Sequence, residues 1–246
     1  MAHRQIAALV GLVLIVALVM VVGCKGPRLV STEQEISVGQ DVAENVRAEY
    51  GVDRDPVKNA RVTEMGERMV AVCRRPDLPY TFEILDTDIV NAFAVLGGPV
   101  FVTNGLLDAA RSDDGEIASV IGHEIAHITQ RHGVRQLEKA VGLTVIVSLL
   151  TSGSSTDVER VSNVATQLMM QGWSRDDEKD ADLVGVDYAV AANYDGWGLV
   201  RFLEMLEGEH GNQSKFEVFL SSHPSYENRI GRISDHLQKK GIPRPQ

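Results

Sequence analysis

The segment His123-Glu124-Ile125-Ala126-His127 carries the residue types of a catalytic metal site. Two histidines four positions apart lie on one face of a helix, about one turn from each other, so both imidazoles can reach one tetrahedral zinc ion. A glutamate directly after the first histidine is placed to contact a water molecule at that ion. The pattern therefore predicts His123 and His127 as zinc ligands and Glu124 as the catalytic base. The alternative is a surface helix in which histidine and glutamate cluster by chance.

A third protein ligand is needed, because catalytic zinc sites have three protein ligands and one open position. The metzincin extension of the motif is excluded, since Gln130 and Gly133 replace its glycine and its third histidine. Residues 174–182 offer Glu178 and Asp182, which are four positions apart and share a helical face. Alone, this acidic stretch is typical of a solvated helix start. Together with the histidine pair it predicts Glu178 as a zinc ligand and Asp182 as the acceptor of the outer N–H of a ligating histidine.

These residues belong to a larger set of motifs that resembles peptidase family M48, a group of gluzincins related to CAAX-processing enzymes and bacterial envelope proteases. The resemblance is carried by Asn91-Ala92-Phe93-Ala94, the run Gly98 to Leu106, Gly122 to His127 with Arg131-His132, Ser174 to Asp182, and Ser222-His223-Pro224 with Arg229. It implies that His123, His127 and Glu178 bind zinc and that Glu124 is the catalytic base. Asp182 would contact one of these ligands and not the metal itself. The membrane helices of the CAAX-processing branch and the tetratricopeptide extension of some bacterial members have no counterpart here. We therefore expect a compact lipoprotein member.

Two further groups gain a predicted role from this chemistry. Zincins bind substrate as an added strand on an exposed sheet edge, and the candidate edge consists of Pro99, Val100, Phe101, Val102 and Thr103. The alternative is an ordinary core strand. His223 and Arg229 are six positions apart across a predicted helix start, where either could stabilise an oxyanion. His223 could instead occupy the fourth zinc position in a resting enzyme, or Ser222 to Ser225 could be a plain helix cap.

The rest of the chain predicts an α+β, mostly helical, zincin-like fold with a small antiparallel sheet and an active-site helix that bears the histidine pair. Turn residues separate three short strands at 80–85, 89–96 and 99–103. Asp113 and Asp114 begin the active-site helix, which reaches about Arg131. Apolar spacing predicts further helices at 33–50, 56–73, 157–171, 175–192, 196–210 and 225–240, a short helix capped by Asn104, a buried helix at 140–150 and a Ser/Gly loop at 151–156.

The N-terminal stretch has the layout of a signal peptide, with Arg4 followed by an apolar run from Ile6 to Val22. Gly23-Cys24 ends that run and resembles the lipobox of bacterial lipoproteins, so we expect a signal peptide at 1–23, a lipidated Cys24 with a linker to residue 31, and a peptidase domain at 32–246. An uncleaved membrane anchor is the alternative. Lys25 in place of aspartate resembles the signal for sorting to the outer membrane.

Composition narrows the function. A formal net charge of -10 with no basic stripe excludes nucleic-acid binding through phosphate neutralisation. The predicted function is a zinc-dependent endopeptidase that is anchored in the bacterial envelope and faces the periplasm. The resemblance implies unfolded or misfolded envelope proteins as substrates, membrane contact through the lipid, and other envelope proteins as potential partners. The alternative is a proteolytically silent or autoinhibited zinc-binding chaperone or binding lipoprotein, although a merely structural zinc site does not need Glu124.

Overall fold

The structure is a computed structural model that describes residues 30–111, 113–141, 155–208, 213–224 and 228–245. The predicted signal peptide, Cys24, the linker up to residue 29, the apolar run from residue 142 and residues 151–154 of the Ser/Gly loop lie outside these ranges. A compact unit runs from Thr32 to Gln246. Its described elements are α1 (Thr32–Tyr50), α2 (Pro56–Val70), β1 (Thr81–Leu85), β2 (Ala92–Ala94), β3 (Pro99–Thr103), α3 (Asn104–Ala109), α4 (Asp114–Thr129), α5 (His132–Val141), α6 (Ser155–Met170), α7 (Arg175–Ala191), α8 (Gly198–Gly208), α9 (Gln213–Ser222) and α10 (Arg229–Lys239).

Local capping explains where the helices near the site begin. The side chain of Asp113 accepts a hydrogen bond from the backbone N–H three residues further on at the start of α4, and Ser174 does the same for α7. Each cap satisfies an N–H group that has no partner within the helix. The cap predicted at Asn104 is wrong by one residue, since the hydroxyl of Thr103 accepts the hydrogen bond that begins α3.

The sheet is mixed, and this corrects the prediction of an antiparallel one. Its strand order is β1-β3-β2, with β3 parallel to β1 and antiparallel to β2. The strand Pro99–Thr103 is therefore central, and its prediction as the exposed substrate-binding edge is wrong. Both of its backbone edges are bonded to neighbouring strands, so neither edge is free for a peptide. Its five residues are buried, as are the three residues of β2. Its unbroken apolar run is typical of a strand covered on both faces.

Helices cover the two faces of the sheet. On one face, Ala92 and Ala94 of β2 belong to the core that includes α2, α4 and α8. The opposite face carries Phe93 and Phe101, whose ring centroids are 5.5 Å apart, and the guanidinium of Arg47 in α1 lies over the Phe101 ring. β2 thus separates the core around α4 from the layer under α1.

The last two helices differ from their predicted positions. α9, between residues 213 and 222, is not predicted by the apolar spacing, and α10 begins at Arg229, with residues 225–227 outside the described ranges. None of the helices in the described ranges combines the length and the apolar character needed to cross a bilayer.

Candidate metal centre

Two glycines bring α4 and α7 into backbone contact. A Cβ atom on Gly185 would lie 2.6 Å from the backbone nitrogen of His123, and one on Gly122 would lie 2.7 Å from the carbonyl oxygen of Gly185. Any larger residue would force the helices apart at this crossing. The close approach sets Glu178 and Asp182, which precede Gly185 on α7, against the histidines of α4.

Four side-chain atoms converge at this crossing, namely Nε2 of His123, Nε2 of His127, Oε1 of Glu178 and Nδ1 of His223. The two Nε2 atoms are 3.0 Å apart, and Glu178 Oε1 lies 3.3 Å from His127 and 3.7 Å from His123. His223 Nδ1 lies 3.3 Å from Nε2 of His123 and 3.2 Å from Oε1 of Glu178. All four side chains are buried.

These separations fit a tetrahedral metal ion. Bonds of about 2.05 Å to nitrogen and oxygen give a tetrahedron whose edges are about 3.3 Å, which is close to the observed distances. The group could therefore hold a metal through three predicted ligands and His223 in the fourth position.

The electrostatics of the cluster also favour a cation. Although burial alone raises the pKa of Glu178, the neighbouring His223 and His123 hold it well below its ordinary value. Burial would lower the pKa of His123, but the carboxylates of Glu178 and Asp182 raise it to about 10. Burial lowers the pKa of His127 well below its ordinary value, so this imidazole is neutral, as a ligand must be. A metal ion bound here would release the proton from His123.

Each α4 histidine has an outer partner that orients its ring. Asp182, which is predicted to accept the outer N–H of a ligating histidine, has its Oδ1 3.1 Å from Nδ1 of His123, although the pair lacks hydrogen-bond geometry. The outer partner of His127 is His132, whose Nδ1 lies 2.8 Å from Nδ1 of His127. Because a metal would take Nε2 of His127, its Nδ1 carries the hydrogen and donates it to His132.

His132 and Trp173 complete the surroundings of His127. Burial lowers the pKa of His132 to about 4, so the ring is neutral and its remaining hydrogen is on Nε2, which lies 3.4 Å from Asp180 Oδ2. The Trp173 ring stacks on His127 with a centroid distance of 4.3 Å. Sequence reasoning left His132 without a specific partner and missed Trp173, whose position depends on the chain segment that precedes α7.

Arg229 contacts the carboxylates of the cluster. Its guanidinium forms two hydrogen bonds with Asp182, of 3.0 and 2.6 Å, and an ion pair of 2.9 Å with Oε2 of Glu178. It also donates to the carbonyl oxygen of His223 at 3.3 Å. With its N–H groups directed at these partners, the oxyanion role predicted for Arg229 is not supported. The contacts make it a positioning residue for Glu178 and Asp182.

Glu124 lies beside the four-atom cluster without belonging to it. Its carboxylate is buried, and burial raises its pKa. Among the described residues neither of its oxygens accepts a hydrogen bond of normal geometry, although the backbone N–H of Ala94 faces them. Nε2 of His223 lies 3.4 Å from Oε1 of Glu124 and 3.3 Å from the carbonyl oxygen of Ala92. A buried carboxylate with a raised pKa and free lone pairs suits a general base.

Comparisons with known proteins find proteases among those to which this chain is similar. The chain is 32% identical over 219 residues to the putative beta-barrel assembly-enhancing protease of Vibrio cholerae, which covers 85% of this chain and 45% of that protein. It is 28% identical to the mitochondrial metalloendopeptidase OMA1 of Schizosaccharomyces pombe, in a match that covers 87% of this chain and 64% of that protein. It is 24% identical to the metalloprotease YcaL of Escherichia coli K12, in a match that covers 89% of this chain and 92% of that protein. The chain thus spans about half the length of the beta-barrel assembly-enhancing proteases it matches.

The predicted family is confirmed by a family model. The model that describes peptidase family M48 matches residues 56–237, which include every residue of the four-atom cluster, Glu124, Asp182 and Arg229. This chain therefore belongs to peptidase family M48.

Proposed function

We propose that this protein is a zinc-dependent endopeptidase. The observation that carries the proposal is the tetrahedral group of His123, His127, Glu178 and His223 with the buried Glu124 carboxylate beside it. A structural zinc site needs only the four ligands, whereas a hydrolase also needs a base next to the metal. The names of the relatives, which include a metalloendopeptidase and a metalloprotease, support the same reaction class.

The chain's own groups account for the proton transfers of such a reaction. Zinc bound by these ligands would supply Lewis acidity and lower the pKa of water. Glu124 takes a proton from the attacking water and later gives it to the leaving amine. Its raised pKa favours the second transfer, because a carboxyl group with a pKa nearer neutrality donates as well as accepts at neutral pH.

The strand β2 offers an edge on which a peptide can bind beside Glu124. The carbonyl of Asn91 and the N–H of Val95 are bonded to β3, so by alternation the backbone groups of Ala92 and Ala94 point away from β3. They point toward His223 and Glu124. We propose that an extended substrate adds to this edge, which takes the role predicted for Pro99–Thr103.

We further propose that His223 keeps the resting enzyme closed. Its Nδ1 fills the fourth position of the cluster, while its Nε2 donates to the carbonyl oxygen of Ala92 on the proposed substrate edge. One side chain thus occupies both the open metal position and a substrate hydrogen-bond acceptor. Displacement of His223 would free both for the reaction.

Replacement of His223 with alanine tests this latch. We expect His223→Ala to raise the rate of peptide hydrolysis at saturating zinc, because the fourth position and the Ala92 carbonyl are released. His236→Ala is the control, since His236 contacts Asp187 on the partly exposed face of α10 and should not change the rate. A fall in kcat of about a hundredfold would instead show that His223 stabilises the transition state.

The proposed activity is tested with the purified protein from Lys25 onward. Metal analysis should find one zinc per chain, and the zinc-loaded protein should digest unfolded casein. Chelator should stop the digestion and added zinc should restore it. Bound zinc without any digestion, in both the wild type and His223→Ala, would favour a zinc-binding chaperone or binding lipoprotein.

We propose that the enzyme acts on unfolded or misfolded proteins of the bacterial envelope, from a lipid anchor at Cys24 in the outer membrane. The relatives named for beta-barrel assembly support an envelope location, and the apolar run that ends at Gly23-Cys24 supports the lipid. Cells that express the native protein should incorporate labelled palmitate into it, and Cys24→Ser should remove the label. Label retained in Cys24→Ser would refute the anchor, and fractionation with the inner membrane would refute the sorting assignment.

A further inference from the structure

A cavity lies beside the start of β2, on the face of the sheet away from the metal ligands. Its volume is about 70 Å³, and its lining includes Tyr50, Leu85, Ile89, Asn91, Phe93 and Val218. Tyr50 ends α1, Val218 lies in α9, and Ile89 is one of the most exposed large apolar residues, at 37%. Tyr50 and Val218 are also partly exposed.

The lining of this cavity is neutral and mostly apolar. By contrast, the recess at the other end of β2 is lined by Glu35 and Arg131, which form an ion pair of 3.2 Å. A volume of 70 Å³ corresponds to about two molecules of liquid water, or to a branched aliphatic side chain of valine size. A charged side chain would find no counter-ion among the lining residues and would be desolvated at a cost.

Two lining residues of the cavity belong to the chain segment that forms the proposed substrate edge. Asn91 and Phe93 line it, and they alternate along the strand with Ala92 and Ala94, whose backbone groups face His223 and Glu124. In a sheet, directly opposed residues of neighbouring strands place their side chains on the same face. A peptide residue opposite Asn91 or Phe93 would thus direct its side chain toward the cavity, within about two residues of the bond next to Glu124.

The cavity is also linked to the metal centre through α9. Ser222 donates a hydrogen bond of 3.3 Å to Oδ1 of Asn91, and the next residue is His223. Val218 lines the cavity, and its neighbour Phe219 packs on the His223 ring with a centroid distance of 5.0 Å. The helix that directly precedes the proposed latch therefore contributes Val218 to the wall of the cavity.

We infer that this cavity is a specificity pocket, which receives a neutral aliphatic side chain of valine to leucine size from a peptide bound along β2. The inference rests on the proposed endopeptidase function and adds to it a preference at one substrate position. It also makes Tyr50 and Val218 residues that determine specificity.

Cleavage-site profiling of a peptide library tests the inference. Wild type should prefer valine or leucine over aspartate and lysine at one position near the cut. Val218→Phe narrows the cavity and should lower kcat/KM for the leucine peptide about tenfold to a hundredfold relative to its alanine counterpart. Tyr50→Ala widens the cavity and should shift the preference toward phenylalanine at the same position only. Val72→Phe changes an exposed valine that does not line the cavity, and its profile should match the wild type.

The catalytically impaired Glu124→Gln protein provides a readout that does not require cleavage. Its dissociation constant for the leucine peptide should be lower than for the alanine peptide, and Val218→Phe in the same background should abolish the difference. The pocket is refuted if the wild type cleaves the library but neither Val218→Phe nor Tyr50→Ala alters the preference at any position. If neither the wild type nor His223→Ala cleaves any peptide, the proposed function itself fails.

Discussion

Glu124→Gln should retain bound zinc and lose about a hundred- to ten-thousand-fold in kcat. The glutamine has the same shape, so the proposed ligands His123, His127 and Glu178 are unaffected, but an amide cannot accept the proton of the attacking water. The burial that raises the pKa of Glu124 also keeps bulk water from taking over as the base. Metal content and casein digestion, measured on the same preparation, check both parts of this expectation.

Glu116→Gln is the matched control for this variant. Glu116 lies on the same helix α4, but it is near the helix start, where it contacts Arg201 at 3.7 Å. The same chemical change there should leave kcat within about twofold, because surface substitutions away from the site have small effects. Full digestion by Glu124→Gln would refute the proposed mechanism. Loss of zinc from that variant would instead show that Glu124 supports the metal.

Arg229→Met should lower the free energy of unfolding of the metal-free protein by about 3 to 5 kcal/mol. The change leaves the buried carboxylates of Glu178 and Asp182 without their guanidinium partner, and both side chains are at most 1% exposed. Urea denaturation in the presence of chelator measures the loss. Excess zinc should reduce it, because a bound cation compensates part of the same negative charge.

Arg201→Met is the matched control for the buried arginine. Arg201 also has several carboxylate partners, including Asp113 and Asp195, but its side chain is 30% exposed. Solvent screens such pairs, so the loss should be below about 1 kcal/mol. Equal losses in the two variants, or a loss below 1 kcal/mol for Arg229→Met, would contradict the role given to the buried cluster.

The helical part of the site could be predicted from sequence because its information is local. The spacing of His123 and His127 defines one face of a helix, and Asp113 and Ser174 cap their helices through groups three residues away. The same reasoning placed Glu178 and Asp182 on one face of α7, since that also depends only on a spacing of four residues.

The order of the strands could not be predicted in this way. The pattern of β3 suits a central strand and a buried edge equally well, and consecutive strands usually pair as neighbours. Here β3 lies between β1 and β2, so the proposed substrate edge moves from Pro99–Thr103 to Ala92–Ala94. Pairing between distant segments depends on how the whole sheet packs against α1, α2 and α4, and single-strand patterns do not contain that information.

The sequence by itself determined which residues form the candidate site, because the identity of the proposed ligands and the proposed base, and their spacing along each helix, are properties of short segments. Only the tertiary structure decided how those segments meet. The close crossing at Gly122 and Gly185 brings the Glu178 carboxylate to the histidines, and the chain after α9 returns His223 to the fourth position. Arg229 becomes a partner of buried carboxylates for the same reason. Contacts between residues about 50 to 100 positions apart are set by the packing of the whole core, in which the free energy is distributed over many side chains.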